Sequence, residues 1–378
     1  MPILPDPTDG VAVRPDLLRS WTAALVGSVG TPDDIAADVA EILVAADRRG
    51  IPSHGTARLP NYLALVSAGV MDPAARPVAE VERAALVRYD ARNGWGHHAC
   101  RVATDRAIEM ARTAGSAFVV LRNSNHYGIA GWYALRAAAA GMIGMSLSNT
   151  SPLVAPTRAR VSMLGTNPIA VAAPAGRFGA LCLDMATSTI PRGRIEVAAR
   201  RGENLVEGWA IDAEGRPALT PEAALEGALM PLGGGEATAG YKGYGLALVV
   251  DMLTAVLAGA TSGPSVIGLF STEAPSDLGQ AFWVVDPAAL DGSAETFEQR
   301  LEALCADLIA APTAPGAPDR VLIPGEPEAA AERLAERRGV VIDGRHHAAL
   351  VALADAAALP FPEVGPVEPA ASPSFASS

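Results

Sequence analysis

The stretch Asn123-Ser124-Asn125-His126-Tyr127-Gly128 decides how this chain is read. Before it runs an apolar segment, Ala117 to Leu121. After it, from Ile129 to Ala140, comes an alanine-rich pattern with helical spacing. That order predicts a strand, a polar turn and a helix, the unit of which α/β folds are made. Strand ends in such folds open onto a crevice, and the amides at the next helix start point into it. A histidine and two asparagines placed there are candidates for chemistry. A second histidine stands upstream in Ser53-His54-Gly55, with Arg58 four residues later. Two candidate proton carriers and one candidate anion clamp point to an enzyme acting on a small acid.

The alternation continues outward from this unit. Residues 14–48 show helical spacing through Leu17, Leu18, Trp21 and Leu25, then Ile35, Val39, Ile42, Leu43 and Ala46. Thr31 or Asp33 is the expected cap of the second of these helices. A turn through Gly50 to Gly55 leads to a helix expected over 57–67. Pro60 falls in its first turn, where a missing amide hydrogen costs little. Arg58 then lies near the positive end of that helix, a place suited to an anion contact. Strands are expected at 84–90, 117–121, 142–148, 169–173 and 180–184, and helices over 95–114, 246–260, 328–338 and 346–357. Small polar residues cluster at the strand ends: Asn123 to His126, Ser148 to Ser151, Asp184 to Ser188, and Gly165 to Pro168 just before the 169–173 strand. Composition turns to Pro, Ser and Ala after Leu359, which predicts a disordered tail over 360–378.

The bulk numbers narrow the partners. A chain of 378 residues can bury a large core and supports two lobes. Its net charge of −12 opposes a nucleic-acid footprint, which is basic. Cys100, Cys182 and Cys305 are widely spaced and form no CxxC pair, so they read as buried thiols of a reducing compartment. The N-terminus lacks a basic region followed by an apolar one, and the apolar run Leu246 to Ala260 carries Asp251 and is too short to span a bilayer. The expectation is a cytoplasmic enzyme without a membrane partner.

Each candidate has a plain reading beside the chemical one. Gly233 to Gly245, with Lys242, could cradle phosphates through glycine amides at a helix start, or be a flexible loop with a solvated lysine. No phosphate-loop spacing is present, nor a GxGxxG turn with an acidic residue about 20 positions on. His54 and His126 could move protons, or be satisfied turn histidines. Arg58 could clamp a carboxylate, or make a surface ion pair. Asp184 could bond ribose hydroxyls or orient a histidine, or cap a helix. His97-His98 and His346-His347 are adjacent pairs, so neither has metal-ligand geometry, and both read as structural or exposed. Arg192, Arg194, Arg200 and Arg201 read as a solvated helix face.

Taken together, the motifs resemble the malate/L-lactate dehydrogenase family that lacks the Rossmann fold. That family includes ureidoglycolate dehydrogenase, sulfolactate dehydrogenase, diketogulonate reductase and the cyclic imine reductases acting on piperideine-2-carboxylate. The matching segments are Arg49 to Gly55 with Arg58 to Tyr62, Asn123 to Tyr133, Leu164 to Pro168, Leu183 to Ser188, Glu207 to Asp212, Gly240 to Gly245 and Pro324 to Glu326, in family order. The resemblance implies an α/β, three-layer fold with a mixed, largely antiparallel sheet, a non-Rossmann NAD(P) site and a helical lobe. Residues 1–90 with 311–359 would form the helical substrate lobe, 91–310 the NAD(P)-binding core. It also implies a homodimer with active sites near the subunit interface.

By motif position, His54 and Arg58, with Ser53 beside them, fall on the family's substrate and proton-transfer residues. His126 falls on the histidine assigned as base in ureidoglycolate dehydrogenase, and both histidines are carried. Thr166, Asp184, Met185, Ala186, Tyr241, Lys242, Gly243, Pro324, Gly325 and Glu326 fall on segments that contact the cofactor, NAD or NADP; no metal is implied. The implied reaction is hydride transfer between that cofactor and a small 2-oxo or 2-hydroxy acid of malate or lactate type. A cyclic imine reductase and a non-catalytic binding protein on the same scaffold are the alternatives. Arg158 and Arg160 only suggest a 2'-phosphate contact. Two segments depart from the family pattern: 150–165 lacks the usual Gly-Gly turn, and 261–281 lacks the usual aromatic and histidine pattern, with Gln280 in place of a histidine.

Overall fold

Residues 10–317 and 320–367 are described by the structure, a computed structural model. The chain enters through β1 (Val11–Val13), α1 (Pro15–Gly27), α2 (Asp33–Arg48) and α3 (Leu59–Ser67). Ile35, Val39, Ile42, Leu43 and Ala46 form the buried stripe of α2, as their three- and four-residue spacing requires. Its N-cap is Pro32, with no side-chain bond, rather than Thr31 or Asp33. Thr31 instead accepts from Trp95 Nε1 at 3.1 Å, and Asp33 sits in the first turn, where its charge suits the helix dipole.

The middle of the chain gives β2 (Val78–Glu82), β3 (Leu86–Asp90), α4 (Gly96–Ala114), β4 (Ser116–Ser124), α5 (Ala130–Ala139), β5 (Ile143–Ser148), β6 (Ile169–Pro174) and β7 (Ala180–Met185). An outlying cluster follows, built from α6 (Arg192–Arg201), β8 (Ala210–Ile211), α7 (Pro221–Glu226) and β9 (Ala228–Leu229) around Ile195, Leu205 and Leu229. Then come α8 (Gly240–Asp251), which runs into a π-helical turn over Met252–Val256, β10 (Leu278–Val285), α9 (Ala288–Asp291), α10 (Ala294–Ile309), α11 (Glu326–Arg338), β11 (Val340–Ile342), α12 (Gly344–Ala356) and β12 (Val364–Pro366).

Seven strands form one sheet in the order β2-β3-β4-β10-β5-β6-β7. Only β3 and β4 pair in parallel; the other pairings are antiparallel. Successive side chains of a strand face opposite layers, and β4 shows it. Ala117, Val119 and Leu121 pack under α4 and α5, while Phe118 and Val120 join Leu147, Val250 and Ala258 on the α8 side. The result is the expected three-layer α/β arrangement with a mixed, largely antiparallel sheet. A second core holds α1, α2 and α3 against Ala335, Val340, Ile342 and Leu350 of the C-terminal segment. No helix among the described residues is long and apolar enough to cross a membrane.

Several expectations are corrected. The central strand β10 was not foreseen; it arrives from far along the chain and separates β4 from β5. The strands β2 and β3 belong to the main sheet, so the expected helical lobe over 1–90 gives up its last residues to the core. The helix expected from 246 begins at Gly240. The tail expected to be disordered from 360 contains β12, held against β1 through the pairs Val11–Pro366 and Val13–Val364; its residues 368–378 lie outside the described ones.

Candidate active site

The sheet topology places the polar strand ends on one edge. Because β10 runs antiparallel to both β4 and β5, the carboxyl ends of those two strands lie side by side, with the start of β10 between them. The start of β6 and the end of β7 reach the same edge, where Ile169 pairs with Met185. Asn123 to His126, Ser148 to Thr150, Thr166 to Pro168 and Asp184 to Ser188 are thus gathered by strand direction alone. The amino end of α4 abuts this edge. A Cβ on Gly96 would stand 2.2 Å from the carbonyl oxygen of Asn125, so only glycine lets the helix come so close.

The turn between α2 and α3 brings the other residues in. It consists of two short 3-10 turns, Pro52–His54 and Thr56–Arg58, and α3 follows with Pro60 in its first turn. The rings of His54 and His126 lie with centroids 5.5 Å apart. Arg58 donates through Nε to the Ser53 carbonyl at 2.6 Å, and its guanidinium lies 5.4 Å from the centre of the Phe270 ring. No carboxylate among the described residues lies at ion-pair distance from Arg58, so its terminal nitrogens remain available to a ligand. The structure therefore brings Ser53, His54, Arg58 and His126 together.

It adds residues that the sequence reading passed over. Tyr62 is buried, and its hydroxyl lies 2.6 Å from His126 Nδ1. Burial raises the phenol above its ordinary range, so it stays protonated, and against a ring nitrogen that accepts from Gly128 it is the donor. The Gly128 amide also donates to Nδ1, at 3.3 Å. Two donors aimed at one ring nitrogen leave it no proton of its own, so in the neutral ring Nε2 carries the hydrogen. The Ser53 hydroxyl, 2.9 Å from His54 Nδ1, can donate or accept and sets no tautomer there. Tyr62 follows Arg58 by four residues at the start of a helix, so spacing could have placed both on one face. Phe270 comes from the 266–276 loop, and no sequence spacing points to it.

Both histidines are half-buried, with protein packed around their rings. That enclosure, and then the Arg58 charge, lower His54 to about 4. His126 is held well below its ordinary value by burial first, then by His54, His97 and Arg58. Both are neutral at pH 7. His97 is not exposed; it is fully buried beside Tyr62, with no hydrogen-bond partner among the described residues on either ring nitrogen. His98 is also buried, and its Nδ1 lies 2.7 Å from Asp38 Oδ2.

The expected cofactor residues fall into separate groups tied to this sheet edge and to β7. Thr187 donates through its amide and hydroxyl to the Thr166 carbonyl. Leu232 bonds to Thr187 and packs against Gly243, and Asn167 Nδ2 reaches the Ala247 carbonyl of α8 at 2.9 Å. Tyr241 and Lys242 are exposed in the first turn of α8. Asp184 accepts from the Gly131 amide at 2.7 Å, capping α5 from across the sheet edge. Met185 and Ala186 follow it, half-buried. The Cys182 amide donates to the Pro324 carbonyl, which sets Pro324 to Glu326 along β7. Glu326 is engaged by Arg320 and by the Ile323 amide. A helix amino end with a lysine, a threonine and a carboxylate along one edge has the chemistry that dinucleotide phosphates and ribose require.

Other features take their plain readings. A cleft of about 1000 Å³ runs along the second half of α2, lined by Arg49, Trp132, Arg136, Ala180 and Gly325 among others; it holds neither histidine of the site. Arg158 pairs with exposed Glu236, Arg192 with Glu196, and Arg194 lies over Trp209. Gln280 is buried, and its Nε2 donates to the Asn125 carbonyl at 3.2 Å, supporting the turn that holds His126.

Comparison with known proteins bears on the family and the fold. A family model described as malate/L-lactate dehydrogenase matches residues 13–351. Malate dehydrogenase of Pyrococcus abyssi is 46% identical over 255 residues, 66% of this chain and 70% of that protein. A Delta(1)-pyrroline-2-carboxylate/Delta(1)-piperideine-2-carboxylate reductase of Pseudomonas putida is 33% identical over 336 residues, 86% of this chain and 92% of that protein. The solved structure of sulfolactate dehydrogenase from Methanocaldococcus jannaschii superimposes with a TM-score of 0.86 at 32% identity, covering 93% of this chain and 98% of that one.

Proposed function

The chain belongs to the malate/L-lactate dehydrogenase family, and from that premise we propose that it transfers hydride between NAD or NADP and the C2 carbon of a small 2-oxo or 2-hydroxy acid of malate or lactate type. The observation that carries this reading is the Nε2–H of His126, fixed by Tyr62 and Gly128, beside the unpaired guanidinium of Arg58. The cofactor, when bound, supplies or accepts the hydride; Thr166, Asp184 to Ala186, Tyr241 to Gly243 and Pro324 to Glu326 would hold it. Arg58 grips the substrate carboxylate and so sets the distance of C2 from the ring. His126 donates a hydrogen bond to the C2 oxygen through Nε2; in the imidazolium form, with the Tyr62 hydroxyl turned to accept from Nδ1–H, it gives the Nε2 proton to the forming alkoxide and returns to the neutral ring. His54, steadied by Ser53, orients the substrate. An arriving carboxylate offsets the Arg58 charge, which favours the protonated imidazole only once substrate is in place.

A cyclic imine is the second reading. Both histidines are held neutral at pH 7, and an imine nitrogen is protonated more easily than a carbonyl, so it depends less on a strong acid. Loss of reduced nicotinamide absorbance, with NADH and with NADPH, tests both readings against a panel of 2-oxo acids and of piperideine- and pyrroline-2-carboxylates. Turnover on neither class, with cofactor bound, would refute both.

The assembly we propose is a cytoplasmic homodimer. Leu246, Leu248, Val249, Met252, Val256 and Leu257 of α8 and the turn after it are large, apolar and exposed, a face suited to a second copy. The three cysteines are free and buried, in keeping with a reducing compartment. In this reading the residues before β2, with 311–359, act as the substrate lobe, and the main sheet with its helices acts as the cofactor core.

A further inference from the structure

The turn that carries His54 and Arg58 is weakly built by itself. Its own backbone bonds are single i→i+3 contacts, His54 to Ile51, Gly55 to Pro52, Arg58 to Gly55 and Leu59 to Thr56, and Arg58 Nε adds one side-chain bond to the Ser53 carbonyl. Such short 3-10 turns have poor bond geometry and little cooperativity. Yet two side chains that must meet one substrate hang from it. Apart from the Ile51 amide, which bonds to Ala46 where the chain leaves α2, the described hydrogen bonds that tie it across to α2 and α12 run through one residue, Thr56, which is fully buried.

Beneath the turn lies Asp47, in the last turn of α2. Its Oδ2 accepts from the Thr56 amide at 3.0 Å and from the Thr56 hydroxyl at 2.6 Å. With that hydroxyl hydrogen committed, Thr56 Oγ1 can only accept from the His346 ring nitrogen, 3.1 Å away. His346 comes from the start of α12, whose cap Asp343 accepts its amide at 2.8 Å. Gly55 lies flat on the Asp47 carboxylate: a Cβ there would stand 1.9 Å from Oδ1. That Oδ1 is buried and has no hydrogen-bond partner among the described residues. A buried carboxylate oxygen without a partner is costly, and a carboxylate retained on those terms calls for an explanation other than stability.

We propose that Asp47, acting through Thr56 and with His346 behind it, is the positioning element that holds the His54–Arg58 turn in register with His126. The ladder carboxylate–hydroxyl–imidazole joins α2, the turn and α12, so the C-terminal segment helps to set the distance between the two histidines. None of the three need touch substrate. The kinetic arm of the test rests on the dehydrogenase reading; a second arm does not.

The test compares Thr56→Val, which keeps shape but loses the hydroxyl, with Thr56→Ser, which keeps the hydroxyl. Thr56→Val is expected to lower kcat and raise KM for the 2-oxo acid, with kcat/KM falling about tenfold or more, the scale of one buried hydrogen bond lost. KM for the cofactor is expected to stay within about twofold, and Thr56→Ser to recover most of the loss. Hydrogen exchange at the amides of Gly55 to Arg58 is expected to quicken about tenfold or more in Thr56→Val alone, with α4 and β4 unchanged. Wild-type kinetics and wild-type protection in Thr56→Val would overturn the proposal. So would a loss that appears only as lowered Tm and is not recovered by serine. If the wild type reduces neither 2-oxo acids nor cyclic imines, the dehydrogenase reading fails, and the exchange measurement alone decides whether Thr56 anchors the turn.

Discussion

Replacing Tyr62 by Phe exchanges a hydroxyl for a hydrogen, a net loss of one oxygen atom, and leaves a defined defect. The ring keeps its neighbours, with Trp95 at 5.8 Å, His97 at 5.1 Å and Phe270 at 5.7 Å between ring centroids, so packing is little changed. His126 Nδ1 loses its 2.6 Å donor and retains only the longer contact from Gly128 at 3.3 Å. Leaving a buried acceptor short of a donor costs about 1–3 kcal/mol. Here the loss also frees the ring to move its proton to Nδ1, which turns a lone pair instead of an N–H towards the C2 oxygen. At about 1.4 kcal/mol per factor of ten, kcat is expected to fall about 5- to 150-fold. Arg58 is untouched, so KM for the acid should shift by no more than about threefold. Steady-state reduction of the best 2-oxo acid gives both constants, and ¹⁵N spectra of the histidine rings report the tautomer directly. An unchanged kcat together with an Nε2-protonated His126 in Tyr62→Phe would refute the argument that Tyr62 sets the donor.

Removing the clamp should do the reverse. Arg58→Ala is expected to raise KM for the acid about 10- to 150-fold, the worth of about 1.5–3 kcal/mol for a charge-assisted bond, with cofactor affinity unchanged by equilibrium titration. The buried histidines make stability depend on acid. His97 is lowered to about 3 by burial from an ordinary value of 6.5, so the unfolded chain binds a proton in that window and the folded one does not. Its contribution is fully present above pH 6.5 and is lost as pH falls towards 3; His97→Gln should flatten the fall of Tm over that range, and an unchanged slope would count against it. Leu248→Glu on the exposed face of α8 is expected to yield monomers in sedimentation velocity; dimers that persist would show that this face is not the interface.

Much of this molecule could be read before it was seen. The strand, turn and helix around His126 follow from local pattern, because an apolar run, small polar residues and alanine-rich helical spacing each restrict the backbone within a few residues. His54 and Arg58 were legible for the same reason: a glycine-bounded turn and a proline in the first turn of α3 place them at a helix start. The resemblance supplied the family, the largely antiparallel sheet and the reaction class, and the fold agrees with it.

The remainder depended on contacts between distant residues, which no local pattern encodes. The strand β10 takes the central place in the sheet although 129 residues separate it from the end of β5, and only that insertion makes β4 and β5 end side by side. The strand β2 is exposed along its length, so it carries no alternation to betray it. Asp184 finds its partner at Gly131, Asp47 reaches Thr56, and Thr56 reaches His346. Which nitrogen of His126 holds the proton was likewise beyond the sequence, since it depends on Tyr62 arriving from another helix. The sequence by itself determined the kinds of groups available and the local turns that carry them. Their partners, burial and protonation were decided by the tertiary structure, because hydrogen-bond geometry and desolvation arise only when separate segments pack.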